Sequence, residues 1–100
     1  MYDEIMPKDV ERLVNEKKKI SIIDVREPIE FAGGHIPGAK NISVNEIPDR
    51  INEIDKTGEH IVVCQSGTRS ELACTILSAN GFKVKNMIGG MSSWTGRLAY

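Results

Sequence analysis

The chain is predicted to fold as an α/β domain, a mostly parallel sheet with helices on both faces. Three observations carry this. The short apolar runs Ile20–Val25, Ile61–Val63 and Val84–Met87 read as buried strands. Segments with helical apolar spacing lie between them. No internal repeat, linker or low-complexity tract breaks the alternation, so covering both sheet faces is the economical arrangement. One hundred residues suit one domain, 1–100, which by area scaling buries about 65% of its unfolded-chain surface.

The first helix begins after the acidic start, where Met6-Pro7 punctuates the chain. Pro7 suits a first helical turn because its missing N–H has no partner there anyway. Val10, Leu13 and Val14 supply the apolar spacing, and the helix is expected to end in Lys17-Lys18-Lys19, where its dipole favours cations. Ile20, Ile22, Ile23 and Val25 form a strand, with Asp24 and Arg26 at or beyond its carboxyl end. Glu27 to Phe31 makes a short helix that Gly33-Gly34 ends, and the chain is irregular through Pro37-Gly38. Ile42 and Val44 mark a short strand before Asn45. Pro48 through Ile54 is a weaker helical candidate, with Ile47, Ile51 and Ile54 apolar.

Thr57-Gly58 then turns the chain into the Ile61–Val63 strand. The next helix carries Leu72, Ala73, Ile76 and Leu77 on one broad face and reaches a C-terminal signal at Asn80-Gly81. Val84 to Met87 is a last short strand, Gly89-Gly90 a turn, and Ser92 to Thr95 a small helix. Arg97-Leu98-Ala99-Tyr100 either packs on the body or projects from it.

Composition narrows the function classes. A net charge of −1 gives no reason to expect a nucleic-acid partner. Lys17-Lys18-Lys19 reads as a solvated helix end, not a membrane patch. No twenty-residue apolar span exists, and Met1-Tyr2-Asp3-Glu4 is unlike a secretory n-region, so a soluble cytoplasmic chain is expected. Two cysteines on different elements make neither a disulfide scaffold nor a metal knuckle, and His35 and His60 have no cluster spacing. No metal or organic cofactor is expected.

The chemistry concentrates in Cys64-Gln65-Ser66-Gly67-Thr68-Arg69-Ser70, which leaves an apolar strand and opens a helix. A tight turn there points backbone amides inward and adds the positive end of the helix, while Arg69 contributes a cation. Such surroundings lower a thiol pKa from near 8.5 and favour the thiolate. Gly67 relaxes the dihedral constraint on the loop, and Ser66 and Thr68 either donate hydroxyls to the site or tie the loop together. A structural cysteine beside a turn is the plainer reading of Cys64, but Gly67, Arg69 and the following helix weigh against it. Cys74 takes the opposite reading, a buried small hydrophobe inside the helix. Ser70 is expected to cap the helix. Arg69 either binds an anionic donor or holds the loop through backbone carbonyls.

These motifs, taken together, resemble the rhodanese family of sulfurtransferases. Asp24-Val25-Arg26-Glu27, Gly34-His35-Ile36-Pro37-Gly38-Ala39, the Cys64–Ser70 run and Gly89-Gly90-Met91-Ser92-Ser93-Trp94 appear in family order and span about seventy residues. The resemblance implies a rhodanese-like, mostly parallel five-stranded sheet with helices on both faces. It implies Cys64 as a persulfide-forming nucleophile, Arg69 as its catalytic partner, and Gln65, Ser66, Gly67, Thr68 and Arg69 as the substrate-binding loop. Asp24, Arg26, His35 and Ser70 are carried as structural support, and Trp94 as a packing anchor. The implied partners are a small anionic sulfur donor and a protein that donates a persulfide or accepts sulfur on a thiol. Two alternatives stand beside this one. Some rhodanese-like domains are binding or regulatory modules, and related phosphatases use a similar loop. Here Cys64 and Arg69 enclose four residues, whereas the phosphatase loop would require five.

Overall fold

The computed structural model describes residues 1–100. Its strands are β1 (Asp3–Ile5), β2 (Ser21–Asp24), β3 (Lys40–Asn41), β4 (Glu59–Val63) and β5 (Lys83–Met87). Its helices are α1 (Pro7–Asn15), α2 (Pro28–Ala32), α3 (Ile47–Arg50) and α4 (Thr68–Ala79). The five strands form one sheet in the order β1-β5-β4-β2-β3, every neighbouring pair parallel. Parallel pairing forces each connection to cross the sheet, which is why the helices end up on its faces.

Side-chain alternation along the central strands builds two cores. On one face Ile23, Val62 and Val84 pack against Ile47 of α3 and Ala73, Cys74 and Leu77 of α4. On the other, Ile22, Ile61, Val63 and Met87 pack against Val10 of α1, with Leu13, Val14 and Trp94 alongside. Consecutive residues of β4 therefore serve opposite cores, as period-two geometry requires. Cys64 continues that alternation and falls on the α4 side.

Several boundaries depart from the sequence reading, each for a physical reason. β1 has one partly buried apolar residue, Ile5, and two exposed acidic ones, so no pattern announces it. It exists because its backbone pairs with β5 from Asp3↔Lys85 to Ile5↔Met87. The strand expected at Ile42 and Val44 is instead the two-residue β3 at Lys40–Asn41. Ile42 and Val44 are buried as expected and still donate their N–H groups to Asp24 and Val25, but Val44 opens a 3-10 turn. The Pro48–Ile54 helix divides into α3 and a 3-10 turn over Ile51–Glu53. The last small helix is a 3-10 turn at Gly90–Ser93, two residues earlier than expected.

α1 ends at Asn15, before the lysine run. Lys17 adopts the left-handed conformation at φ 55°, Lys17 N–H donates to Val14 O (3.0 Å) and Lys18 N–H to Leu13 O (3.1 Å). That is a Schellman closure with lysine where glycine is usual. On α4 the buried stripe is Ser70, Ala73, Cys74 and Leu77, while Leu72 is 53% exposed. The polar Ser70 displaced Leu72 from the expected face because its hydroxyl has buried partners. The C-terminal tail packs on the body: His35 and Ala99 exchange backbone hydrogen bonds of 3.0 and 2.8 Å.

Candidate active site

Cys64 lies just past the carboxyl end of β4, the strand at the centre of the sheet. From β2 the chain leads outward to β3, and from β4 it leads the other way to β5, so the crevice between them is a topological switch point. Asp24 and Arg26 leave β2 on the same edge. Residues forty positions apart are thus brought to one end of the sheet by strand order.

The sulfur sits in a small polar cradle. Gly67 N–H donates to Cys64 Sγ at 2.9 Å, and the thiol lies 3.3 Å from Ser70 Oγ, to which it donates. The Ser70 hydroxyl in turn faces Gly67 O at 3.0 Å and Asn86 Oδ1 from β5, and its one proton serves one of them at a time. Gly67 is the N-cap of α4, left-handed at φ 102°, and no side chain caps the helix. Its first-turn amides therefore keep their positive partial charge free for whatever binds at the loop. Ser70 does not cap the helix as expected; it is the third helical residue, and its hydroxyl joins Cys64 to Asn86. Asn86 carried no sequence signal, since a polar residue inside a short strand looks solvent-facing until its neighbours are known.

Cys64 has no exposed surface. The sulfur is closed over, and the loop that carries it is tied down along its length. Met91 N–H donates to Cys64 O (2.8 Å), and Ser92 N–H and Oγ–H both donate to Gln65 O (2.9 Å each). The Gln65 side chain accepts from Arg26 Nη1 (3.2 Å) and donates to Ser92 Oγ (3.3 Å). The Gly89-Gly90 turn approaches so closely that a Cβ on Gly90 would lie 2.3 Å from Cys64 O. Only Ser66 and Thr68 of the loop are exposed.

Arg69 pairs with α2 and makes no hydrogen bond to the loop's backbone carbonyls. Its guanidinium forms a two-pronged pair with Glu30 of α2, Nη1–Oε1 2.7 Å and Nη2–Oε2 3.0 Å. Those hydrogen bonds, with a further one from Glu27 N–H, hold the Glu30 carboxyl down to about 2. They also push the Arg69 pKa up, and Cys64 adds to that shift. Glu30 was not a candidate from sequence. Its spacing from Glu27 in a capping box was legible, whereas a partner thirty-nine residues away was not.

Asp24 and Arg26 form a buried pair, with Arg26 Nε 3.0 Å from Asp24 Oδ1 and Nη2 2.9 Å from Asp24 Oδ2. Arg26 Nη2 also donates to Gly34 O (2.9 Å), and Arg26 O accepts from Asn41 Nδ2 and Ser43 Oγ. This one side chain thus links β2, the Gly34 loop and Gln65. His35 stacks on Phe31 with ring centroids 3.6 Å apart, and its Nδ1–H donates to Phe31 O at 2.8 Å. Trp94 joins the α1-side core, its Nε1–H bonded to Arg97 O. Cys74 is buried beside Leu77, and burial, with Cys64 and Glu71 adding to it, pushes its thiol up to about 12.

A cavity of about 300 Å³ opens beside the loop, lined by Arg26, Gly34, Gln65, Met91, Trp94 and Leu98 among others. A larger one, about 510 Å³, lies at the opposite end of the sheet around Ser21 and His60, far from the sulfur. No three His, Cys, Asp or Glu side chains cluster as metal ligands, and no helix is long and apolar enough to cross a membrane.

This arrangement has relatives. The sequence model of the family described as "Rhodanese-like domain" matches residues 6–97. The chain belongs to the rhodanese-like domain family. Among its relatives, the Allochromatium vinosum protein named "Sulfurtransferase" is 34% identical over 94% of this chain and 89% of its own length. Bacillus subtilis YrkF is 40% identical over 84% of this chain, which spans only 46% of that protein. A solved rhodanese-like domain protein from Staphylococcus aureus superposes with a TM-score of 0.88 at 36% identity, covering 94% of this chain and 92% of that one. The five-stranded parallel sheet with helices on both faces is the rhodanese fold. Sulfur transfer of the rhodanese type is the activity that membership supports at the level of the family.

Proposed function

We propose that this rhodanese domain moves a sulfane sulfur from thiosulfate or a persulfide donor to a thiol, or to cyanide in an assay, through a persulfide on Cys64. The observation that carries the reading is the Gly67 N–H aimed at Cys64 Sγ from the mouth of an uncapped helix. Backbone dipoles aimed in that way stabilise a sulfur anion. Ser70 accepts from the thiol and donates to Asn86, so once the thiol proton has gone to water its hydroxyl can turn to donate to the Cys64 thiolate.

In the first half-reaction the Cys64 thiolate attacks the outer sulfur of the donor. The donor S–S bond breaks and its electron pair leaves with sulfite, or with a thiolate that takes up the donor's proton. The product is a Cys64 persulfide whose terminal sulfur bears the charge the loop amides face. In the second half-reaction the acceptor attacks that terminal sulfur and Cys64 leaves as thiolate. Gln65, Ser66, Gly67, Thr68 and Arg69 form the wall around the transferred atom, and Asp24, Arg26 and His35 hold the wall in place. Because Cys64 has no exposed surface, each half-reaction includes a lifting of the loop.

That burial also favours a second reading, a rhodanese-like module that binds a partner and turns nothing over. Intact-mass measurement separates the two. Incubation with thiosulfate or with glutathione persulfide is expected to add one sulfur atom that cyanide removes, and Cys64→Ser is expected to abolish the addition. A folded wild-type protein that gains no sulfur from either donor would favour the binding reading.

A further inference from the structure

We propose that Glu30 sets the donor class of this site, holding Arg69 so that a free dianion such as thiosulfate is disfavoured against a persulfide bearing at most one negative charge. This deepens the sulfur-transfer reading and rests on it.

Both guanidinium groups near the loop already have partners. Arg26 is paired with buried Asp24, and Arg69 with Glu30 through both nitrogens. Glu27, at the N-cap of α2, adds in the same direction to the upward push on Arg69. Glu30 senses Arg26 in addition to Arg69, which puts its carboxylate in the field of both cations. The pair is also anchored at each end. Glu30 Oε1 accepts Glu27 N–H at 2.9 Å in the capping box of α2, and Arg69 belongs to the first turn of α4. With both side chains about one-third exposed, bulk water screens the pair incompletely.

A donor dianion meets this ion pair in one of two ways. It displaces Glu30 from Arg69, or it sits beside an uncompensated carboxylate. Repulsion from the carboxylate scales with donor charge, so it falls twice as hard on a dianion as on a monoanion and hardly at all on a neutral persulfide, which also has no need to displace Glu30. With thiosulfate, Cys64–S⁻ takes the sulfane sulfur and sulfite departs with both negative charges. With a protonated persulfide, R–S–SH, Cys64–S⁻ takes the terminal sulfur and R–SH departs carrying the proton. The second reaction never places more than the one thiolate charge in the cradle.

The test is the rate of Cys64 persulfidation, read by intact mass under single turnover, with thiosulfate and with the persulfide of 2-mercaptoethanol, which carries no charge beyond its persulfide, as the two donors. Glu30→Gln retains an oxygen to accept Glu27 N–H while removing the charge that holds Arg69. It is expected to raise the thiosulfate-to-persulfide rate ratio at least about tenfold, from release of one cation toward a dianion. The thiosulfate rate of Glu30→Gln is also expected to fall more steeply with added salt than that of wild type, because an exposed cation now attracts the donor. Glu27→Gln, which removes a neighbouring charge but no contact with Arg69, is expected to shift the ratio by less. An unchanged ratio, an equal rise for both donors, or a fall in the thiosulfate rate would overturn the proposal. Equal rises would make Glu30 a latch on the loop, and a fall would make it a positioning group for Arg69. Absence of persulfide with either donor in folded wild type is a different failure, that of the sulfur-transfer reading itself.

Discussion

Gly90→Ala tests whether the Gly89-Gly90 turn is what holds the cradle in shape. Gly90 is at φ +59°, and a Cβ there would lie 2.3 Å from Cys64 O and 2.7 Å from Gln65 C and O. Unbonded heavy atoms settle near about 3.5 Å, and every neighbour here is backbone, so the turn must retreat by about 1 Å. That retreat breaks Met91 N–H to Cys64 O and Ser92 N–H to Gln65 O, now 2.8 and 2.9 Å. Each is worth about 1 kcal/mol net, and alanine at positive φ costs about 1 kcal/mol more. The sum is about 3 kcal/mol, or a melting temperature lower by about 15 °C for a chain of this size. Gly38 supplies the control. It too is left-handed, at φ +86°, but nothing lies within 4 Å of its added Cβ. Gly38→Ala is therefore expected to lose only the conformational part, about 1 kcal/mol or about 5 °C. Melts followed by circular dichroism give both shifts, and single-turnover persulfidation should slow for Gly90→Ala alone. Equal melting temperatures for the two variants would refute the collision argument.

Two further outcomes follow from local geometry and charge. Lys17→Gly relieves left-handed lysine at the end of α1; about 1 kcal/mol of strain released, less about 0.5 kcal/mol of added unfolded-chain freedom, should raise the melting temperature by a few degrees. A drop would show that the Lys17 side chain has a stabilising contact. For pH, the Glu30 carboxyl is held at about 2 against an ordinary 4.5. A depressed acid contributes stability that is full above the unfolded value and is lost as pH falls toward the folded one. The urea-midpoint difference between wild type and Glu30→Gln should thus stay level from pH 8 to 5 and shrink toward pH 2, with a plateau of no more than about 1 kcal/mol because the pair is screened by solvent. A difference that grows on acidification would contradict the pairing.

Much of the site's location was legible because it depends on neighbours in the chain. An apolar strand, a cysteine, a glycine at the αL position and a helix follow one another within ten residues, and each leaves a local signal. Legibility stopped where contacts cross the sheet. Leu72 looked like core by spacing, yet Ser70 is the buried residue, its hydroxyl accepting from the Cys64 thiol and donating to Asn86. β1 escaped notice because backbone pairing with β5, not its side chains, makes it a strand. Arg69 read as a donor-binding or loop-holding group because its partner Glu30 lies thirty-nine residues away in the chain.

What the amino acids determined alone was the alternation of strand and helix, the Cys64 loop between them and the family, since period, turn chemistry and ordered motifs are properties of short stretches. Tertiary structure alone decided that the thiol is closed over, that Ser70 links it to β5, and that Glu30 occupies Arg69. Those depend on strand order bringing residues dozens of positions apart within hydrogen-bond distance, and electrostatic neutralisation is settled by distance in space rather than along the chain.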